Sequence, residues 1–343
     1  MKKHRHAIYI FLIPLLFTSF TYADIEVEYE QLALDIVGMN FWNNDKIFCS
    51  PHQKKYTSNY PNADYLLNIA SADYIVVFVH GFQPYKTGGE QTLKEMVNTW
   101  KYHIDILEEI EGDIAYCVTT WDSDYGFDDN NFTLAKFMQL LHAATTDRRI
   151  DKKEKVITYV GHSAGGNYIK YSTVQYSNTK KKFFSLLKKD TPALYENMSK
   201  KFSTSIITMA TPHLGARLAD SAAINSLFAQ FYLPLLGEVG ANLGQQLAYK
   251  ANSRGAQQLK TIGNGNNSLY ELNKSFARVF PKSNIAAIAG RQDTTVDLTS
   301  ANPSFTRNYT LGFDHGTFLQ PFQSGDLIKF LKTSYIGKIP KID

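Results

Sequence analysis

Residues 155–165 read KVITYVGHSAG, and the fold is decided by how this stretch is read. Lys155 to Val160 is a β-branched, apolar run of strand character, and Gly165 to Tyr176 reads as a helix. Between them Gly161-His162-Ser163-Ala164-Gly165 makes a sharp turn. Such a strand-to-helix turn lifts the serine hydroxyl clear of the sheet, and the flanking glycines avoid the steric conflict that side chains would create there. The helix behind Ser163 also brings its positive dipole end to that place. A G-x-S-x-G match means little alone, but in this context Ser163 is a candidate nucleophile.

Working outward, Tyr74 to Val79 is a continuous β-branched and aromatic run, as in a strand covered on both faces. Gly88 to Ile110 places Leu93, Met96, Val97, Trp100, Ile104 and Leu107 at helical spacing. Ile114 to Thr120 returns to strand character, Phe132 to Leu141 to helix, and Ser205 to Ala210 and Ile285 to Ala289 read as further buried strands. Alternation of strand and helix implies right-handed crossovers: an α/β protein with a mostly parallel central sheet and helices on both faces.

Two segments interrupt the rhythm. Asn178 to Lys201 holds seven lysines around two apolar pairs and reads as a solvated helix rather than a basic face for an anionic surface. Leu214 to Phe280 is a helical insertion before the last strands, apolar from Ile224 to Leu247. A movable lid and a cap packed permanently on the core would both read this way.

A serine hydroxyl is a weak nucleophile until a base takes its proton, and a carboxylate must orient that base. In this architecture the order along the chain is serine, acid, histidine. His4 and His6 fall in an N-terminal leader, His52, His103 and His142 precede Ser163, and His162 lies inside the turn. His213 leaves only Asp190 and Glu196 between itself and the serine, both in the lysine-rich segment, so His315 is the candidate base. Asp293 follows the strand Ile285 to Ala289 by a few residues, which puts its carboxylate at the carboxyl edge of the sheet. It is the candidate acid, with Asp297 the runner-up; Asp314 adjoins His315 and would seldom face it. Two backbone N–H donors are needed for a developing oxyanion. Ala164 supplies one, and Phe82, in the His80-Gly81-Phe82 loop after the strand Tyr74 to Val79, supplies the other.

The N-terminus reads as an address. Lys2, Lys3 and Arg5 precede an apolar run from Ala7 to Phe20, with small Ala23 at the expected cut, which is the pattern of a secretory signal peptide over residues 1–23. A run of 14 residues is short for a spanning helix, which needs about 20. Residues 24–343 then form one domain, exported to the periplasm or beyond. Removing the leader leaves 33 basic against 32 acidic residues, and a nearly neutral surface argues against nucleic acid as a partner. Export permits a Cys49–Cys117 disulfide, while the apolar run around Cys117 suits a buried free thiol equally, and the bridge is left open. The acidic stretch from Asp122 to Asp129 lacks the spacing of a calcium loop and reads as solvated. Neither a metal nor an organic cofactor is expected.

Taken together, Val79-His80-Gly81-Phe82, Gly161 to Gly165, Thr211-Pro212-His213-Leu214-Gly215 and the ordered Asp293 and His315 resemble the α/β-hydrolases of lipase and esterase type. The Thr-Pro-His-x-Gly element is similar to that of bacterial triacylglycerol lipases and GPI inositol-deacylase-like proteins. The resemblance implies the α/β-hydrolase fold, a structural role for His213, and a small-molecule or lipid ester as substrate, with contact at a membrane or lipid interface. Two rivals use the same residues. An acyltransferase or thioesterase would resolve the acyl-enzyme differently, and a binding protein could keep the fold without the chemistry.

Overall fold

The computed structural model describes residues 47–50, 69–82, 92–127, 133–145, 155–190, 202–216, 219–220, 253–262, 268–322 and 324–340. Its framework is a seven-stranded sheet made of β1 (Ile47–Ser50), β2 (Tyr74–Val79), β3 (Ile114–Thr119), β4 (Lys155–His162), β5 (Phe202–Met209), β6 (Ile285–Gly290) and β7 (Arg307–Leu311), in the order β1-β3-β2-β4-β5-β6-β7. Only β1 runs antiparallel to its neighbour; the other five pairings are parallel. This is the mostly parallel sheet expected from the sequence, and the unbroken apolar strands explain it, because a parallel sheet is covered on both faces.

Side-chain alternation divides the strands between two cores. On one face Ile75, Val77 and Val79 of β2 join Ile157 and Tyr159 of β4, under α3 (Thr133–Thr145), α4 (Ala164–Asp190) and α6 (Ser268–Val279). On the other, Val76 and Phe78 join Val160, Ile207 and Ile288, under α1 (Leu93–Thr99), α2 (Lys101–Glu108) and α8 (Gly325–Tyr335). Burying each such side chain contributes about 1.5–3 kcal/mol, so period-two alternation stabilises both layers at once.

The helix expected from Gly88 to Ile110 is two helices, broken at Trp100, whose ring is buried and stacked on Phe78 at 4.8 Å. A capping box of Thr92 and Glu95 starts the first of them. Helix α4 runs on through residues 178–190, while 191–201 of the lysine-rich segment lie outside the described residues. The leader at 1–23 also lies outside them, as do 221–252 of the insertion; the described parts of that insertion include α5 (Arg254–Gln258) and α6.

One open point is decided and one expectation is corrected. Cys49 and Cys117 form a disulfide, since β1, which no periodicity announced, lies beside β3 with these two residues directly opposite and their Cα atoms 4.0 Å apart. Closing a loop across 68 positions removes denatured-state entropy worth about 4 kcal/mol. The acidic stretch is not simply solvated: Ser123 and Asp124 are buried where the loop docks on α5, with Gly255 N–H donating to Asp124 O and Phe127 N–H to Gln258 Oε1. No group of three or more His, Cys, Asp or Glu residues suited to a metal occurs among the described residues.

Candidate active site

Strand β4 ends at His162 and helix α4 begins at Ala164, so the whole change of direction falls on Ser163. Its φ of 52° lies in the left-handed region, which costs a non-glycine residue about 1–2 kcal/mol. Tight packing holds it there. The Ser163 N–H donates to Met209 O of β5 at 2.8 Å, and Gly166 N–H donates to Ser163 O at 3.1 Å. Gly165 must lack a side chain, because a Cβ there would meet the carbonyl oxygens of Val79 and His80 at 2.5 and 2.4 Å. Gly81 is pressed on Ser163 in the same way: a Cβ on it would lie 2.7 Å from Ser163 Cβ and 3.3 Å from Oγ. The Gly81 backbone therefore lies directly against the serine.

Ser163, Asp293 and His315 come together. The Ser163 hydroxyl donates to His315 Nε2 at 3.0 Å, and His315 Nδ1–H donates to Asp293 Oδ2 at 2.8 Å. The other carboxylate oxygen, Oδ1, accepts the N–H groups of Thr295 and Val296 at 2.8 and 2.9 Å, which fixes the acid in the turn after β6. The Asp293 side chain is 1% exposed and that of His315 22%, so the line of bonds runs from a buried carboxyl group to a solvent-reachable imidazole. Asp297 occupies the N-cap position of the short helix α7 (Leu298–Ala301) without a side-chain capping bond, and Asp314 closes its own turn by accepting from Gly316 N–H and from the N–H and hydroxyl of Thr317. These contacts hold the Asp314 carboxyl below its ordinary value, with the Thr317 hydroxyl the largest cause. No described residue accepts a hydrogen bond from the N–H of Phe82 or of Ala164.

Two histidines that the sequence order set aside help to hold this site. His162 Nε2–H donates to His315 O at 2.8 Å, with the two rings 4.9 Å apart. Burial, and then the neighbouring His315, pushes the His162 imidazole down to about 3, so it stays neutral beside His315. His103 of α2 donates from Nε2 to Phe318 O at 2.6 Å and accepts from Tyr335 of α8 at Nδ1, and burial pushes it down to about 4. Phe318 lies in the helical turn Thr317–Leu319, just past His315. Neither partner is near in sequence, so spacing had no signal to offer.

The Thr211–Gly215 element is tied to α4 and α6. Asn167 of α4 donates to Pro212 O at 3.0 Å, and Asn273 of α6 donates to His213 O at 2.7 Å. Lys170 Nζ donates to Asn273 Oδ1 at 2.5 Å and lies over the Phe305 ring. Burial lowers both Lys170 and His213 well below their ordinary values, with Lys170 adding to the effect on His213. The His213 ring bonds Thr208 Oγ1 through Nε2 at 3.1 Å and meets the Phe305 ring edge on, which is packing rather than proton transfer.

Residues 70–302 match the family described as "Putative serine esterase (DUF676)". Among solved structures, the chain is similar to the mature form of lipase BlEst2 from Bacillus licheniformis, with 14% identity over 86% of this chain and 99% of that one and a TM-score of 0.47. The propeptide form gives 16% identity and a TM-score of 0.48, over 85% of this chain, which spans only 54% of that longer one. A soluble variant of the monoglyceride lipase of Saccharomyces cerevisiae gives 12% identity over 84% of this chain and 89% of that one, at 0.42. No curated protein matches the sequence. With a family match that spans more than half of its length, the chain belongs to this serine esterase family.

Proposed function

We propose that the protein is an exported serine hydrolase that cleaves carboxylic esters of lipids through an acyl-enzyme on Ser163. The observation that carries this reading is the continuous line of hydrogen bonds from Ser163 Oγ through both nitrogens of His315 to an Asp293 carboxylate anchored by two backbone N–H groups. In the first half-reaction Ser163 Oγ attacks the ester carbon while its proton passes to His315 Nε2. Asp293 steadies the imidazolium, and the oxyanion accepts from the N–H groups of Phe82 and Ala164. Collapse expels the alcohol, which takes the proton from His315. Water then attacks the acyl-enzyme, giving its proton to Nε2, and the acid leaves as Ser163 recovers its hydrogen.

Export is supported by the basic, apolar and small-residue sequence of the first 23 residues and by the Cys49–Cys117 bridge, a bond that persists in oxidising compartments. The lipid character of the substrate is supported by the Thr211–Gly215 element and its likeness to that of lipases. The test is hydrolysis of p-nitrophenyl esters of increasing chain length by the native protein and by Ser163→Ala. Turnover should fall by about 10⁴-fold or more in the variant, and the native profile should favour long acyl chains. Undiminished turnover by Ser163→Ala contradicts the nucleophile assignment, and a profile that peaks at acetate contradicts the lipid substrate.

A further inference from the structure

We propose that His80 is a positioning residue that clamps the Gly81–Phe82 peptide so that the Phe82 N–H faces the Ser163 hydroxyl. The inference rests on the reading of Ser163 as nucleophile and deepens it by saying what fixes the second oxyanion donor.

The His80 side chain is buried, and both ring nitrogens have assigned partners. Trp121 N–H points at Nε2 from 3.1 Å, with the Thr120 hydroxyl 3.5 Å away. An N–H donor at that nitrogen requires it to be an acceptor, so the ring proton sits on Nδ1. Nδ1 lies 2.6 Å from Gly81 O and therefore donates to it. The tautomer follows from the network alone. The indole of Trp121 donates back to His80 O at 2.8 Å and its ring stacks on the imidazole at 5.7 Å, so the clamp is held from both sides. Trp121 stacks in turn on Tyr168 of α4 at 4.7 Å, which ties it to the helix that follows Ser163.

The consequence comes from peptide geometry. In a planar trans peptide the C=O and the next N–H point in opposite directions. Gripping Gly81 O at the His80 ring thus turns the Phe82 N–H away from that ring. Gly81 is the residue whose missing Cβ leaves room for Ser163, so this peptide lies against the serine. No described residue accepts from the Phe82 N–H, as expected of a donor kept for a transient oxyanion. A glycine flanks the peptide on one side, and without the clamp rotation of the peptide plane would meet little resistance.

The test compares His80→Phe, which keeps a flat ring against Trp121 but no donor, with His80→Asn, whose amide N–H can occupy the place of Nδ1. Both lose the acceptor for Trp121 N–H, so their difference isolates the bond to Gly81 O. Removal of one oxyanion donor costs about 10²–10³ in kcat, which sets the ceiling. His80→Phe should lower kcat by about 10- to 100-fold with KM little changed, and should weaken inhibition by a trifluoromethyl ketone, which mimics the oxyanion, by the same factor. His80→Asn should restore most of both. Equal losses in the two variants, a change in KM alone, or unaltered inhibition by the ketone overturns the proposal. Should His80→Phe fail to fold, His80→Asn decides, because a large kcat loss there contradicts the clamp and near-native kcat with native ketone affinity supports it. Ser163→Ala separates this inference from the reading beneath it. An active Ser163→Ala removes the site itself, whereas an inactive Ser163→Ala beside a fully active His80→Phe removes only the clamp.

Discussion

The turn that bears Ser163 and the loop that bears His315 meet at two hydrogen bonds, Ser163 to the His315 ring and His162 to its carbonyl, yet they are held by different means. Ser163 has a strand on one side and a helix on the other, its own amide is paired with β5, and Gly165 is wedged against backbone oxygens. His315 sits in a partly exposed loop after β7, and several of its grips are side chains: Asp293 on the ring, His162 on its carbonyl and His103 on Phe318 O. Backbone packing fixes Ser163; buried neutral imidazoles help to fix His315. The second arrangement should yield first to mutation and to acid.

The largest expected effect at the loop is at the acid. Asp293→Asn keeps the shape but loses the negative charge that selects the Nδ1–H tautomer, and kcat should fall by about 10³–10⁴-fold. Steady-state turnover across pH 6 to 9 checks this, and a change under ten-fold would break the assignment of Asp293. A smaller effect is expected at His162. His162→Leu removes the donor to His315 O and should lower kcat by about 10- to 100-fold through misplacement of the base. His162→Gln, which can offer an N–H near the same place, should recover much of it. A stability loss without a kcat loss would mean that His162 only packs.

Acid sharpens the same contrast. The unfolded chain takes up a proton on each histidine near 6.5, whereas folded His103 and His162 resist until about 4 and 3. Protonation therefore favours the unfolded state first. Stability is at its full value above pH 6.5 and falls as pH drops through that window, by about 1.4 kcal/mol per pH unit for each residue. Thermal unfolding followed from pH 7 to 4 should show this slope, and His103→Phe should make it shallower. An unchanged slope would remove His103 from the account. On the turn side the smallest functional effect is expected for Lys170→Met, about 10 Å along the helix from Ser163. Loss of the bond to Asn273 should cost about 1–3 kcal/mol of stability while turnover per folded molecule stays unchanged; a lowered kcat would show that the buried network reaches the nucleophile.

Legibility in the sequence follows the same division. The β4 turn and α4 are contiguous, so strand character, glycine spacing and helical periodicity all pointed to Ser163. Asp293 was readable because a strand end fixes it. Strand β7 was not, since Arg307–Leu311 is half-buried at every position and shows no apolar run, and β1 is only four residues long. Nor was the disulfide, which depends on that unannounced strand. The contacts of the His80, His103 and His162 rings with Trp121 N–H, Phe318 O and His315 O join residues 41, 215 and 153 positions apart, and no local pattern encodes a contact between a ring and a distant backbone group. They emerge only once the strands are paired.

The central claim is that His315 and Asp293 make one particular serine nucleophilic. Incubation with a fluorophosphonate, followed by intact mass and peptide mapping, measures it directly. A single phosphonyl adduct should map to Ser163 in the native protein, form much more slowly in Asp293→Asn and be absent from Ser163→Ala. An adduct at another residue, or equal labelling of native protein and Ser163→Ala, would contradict the account.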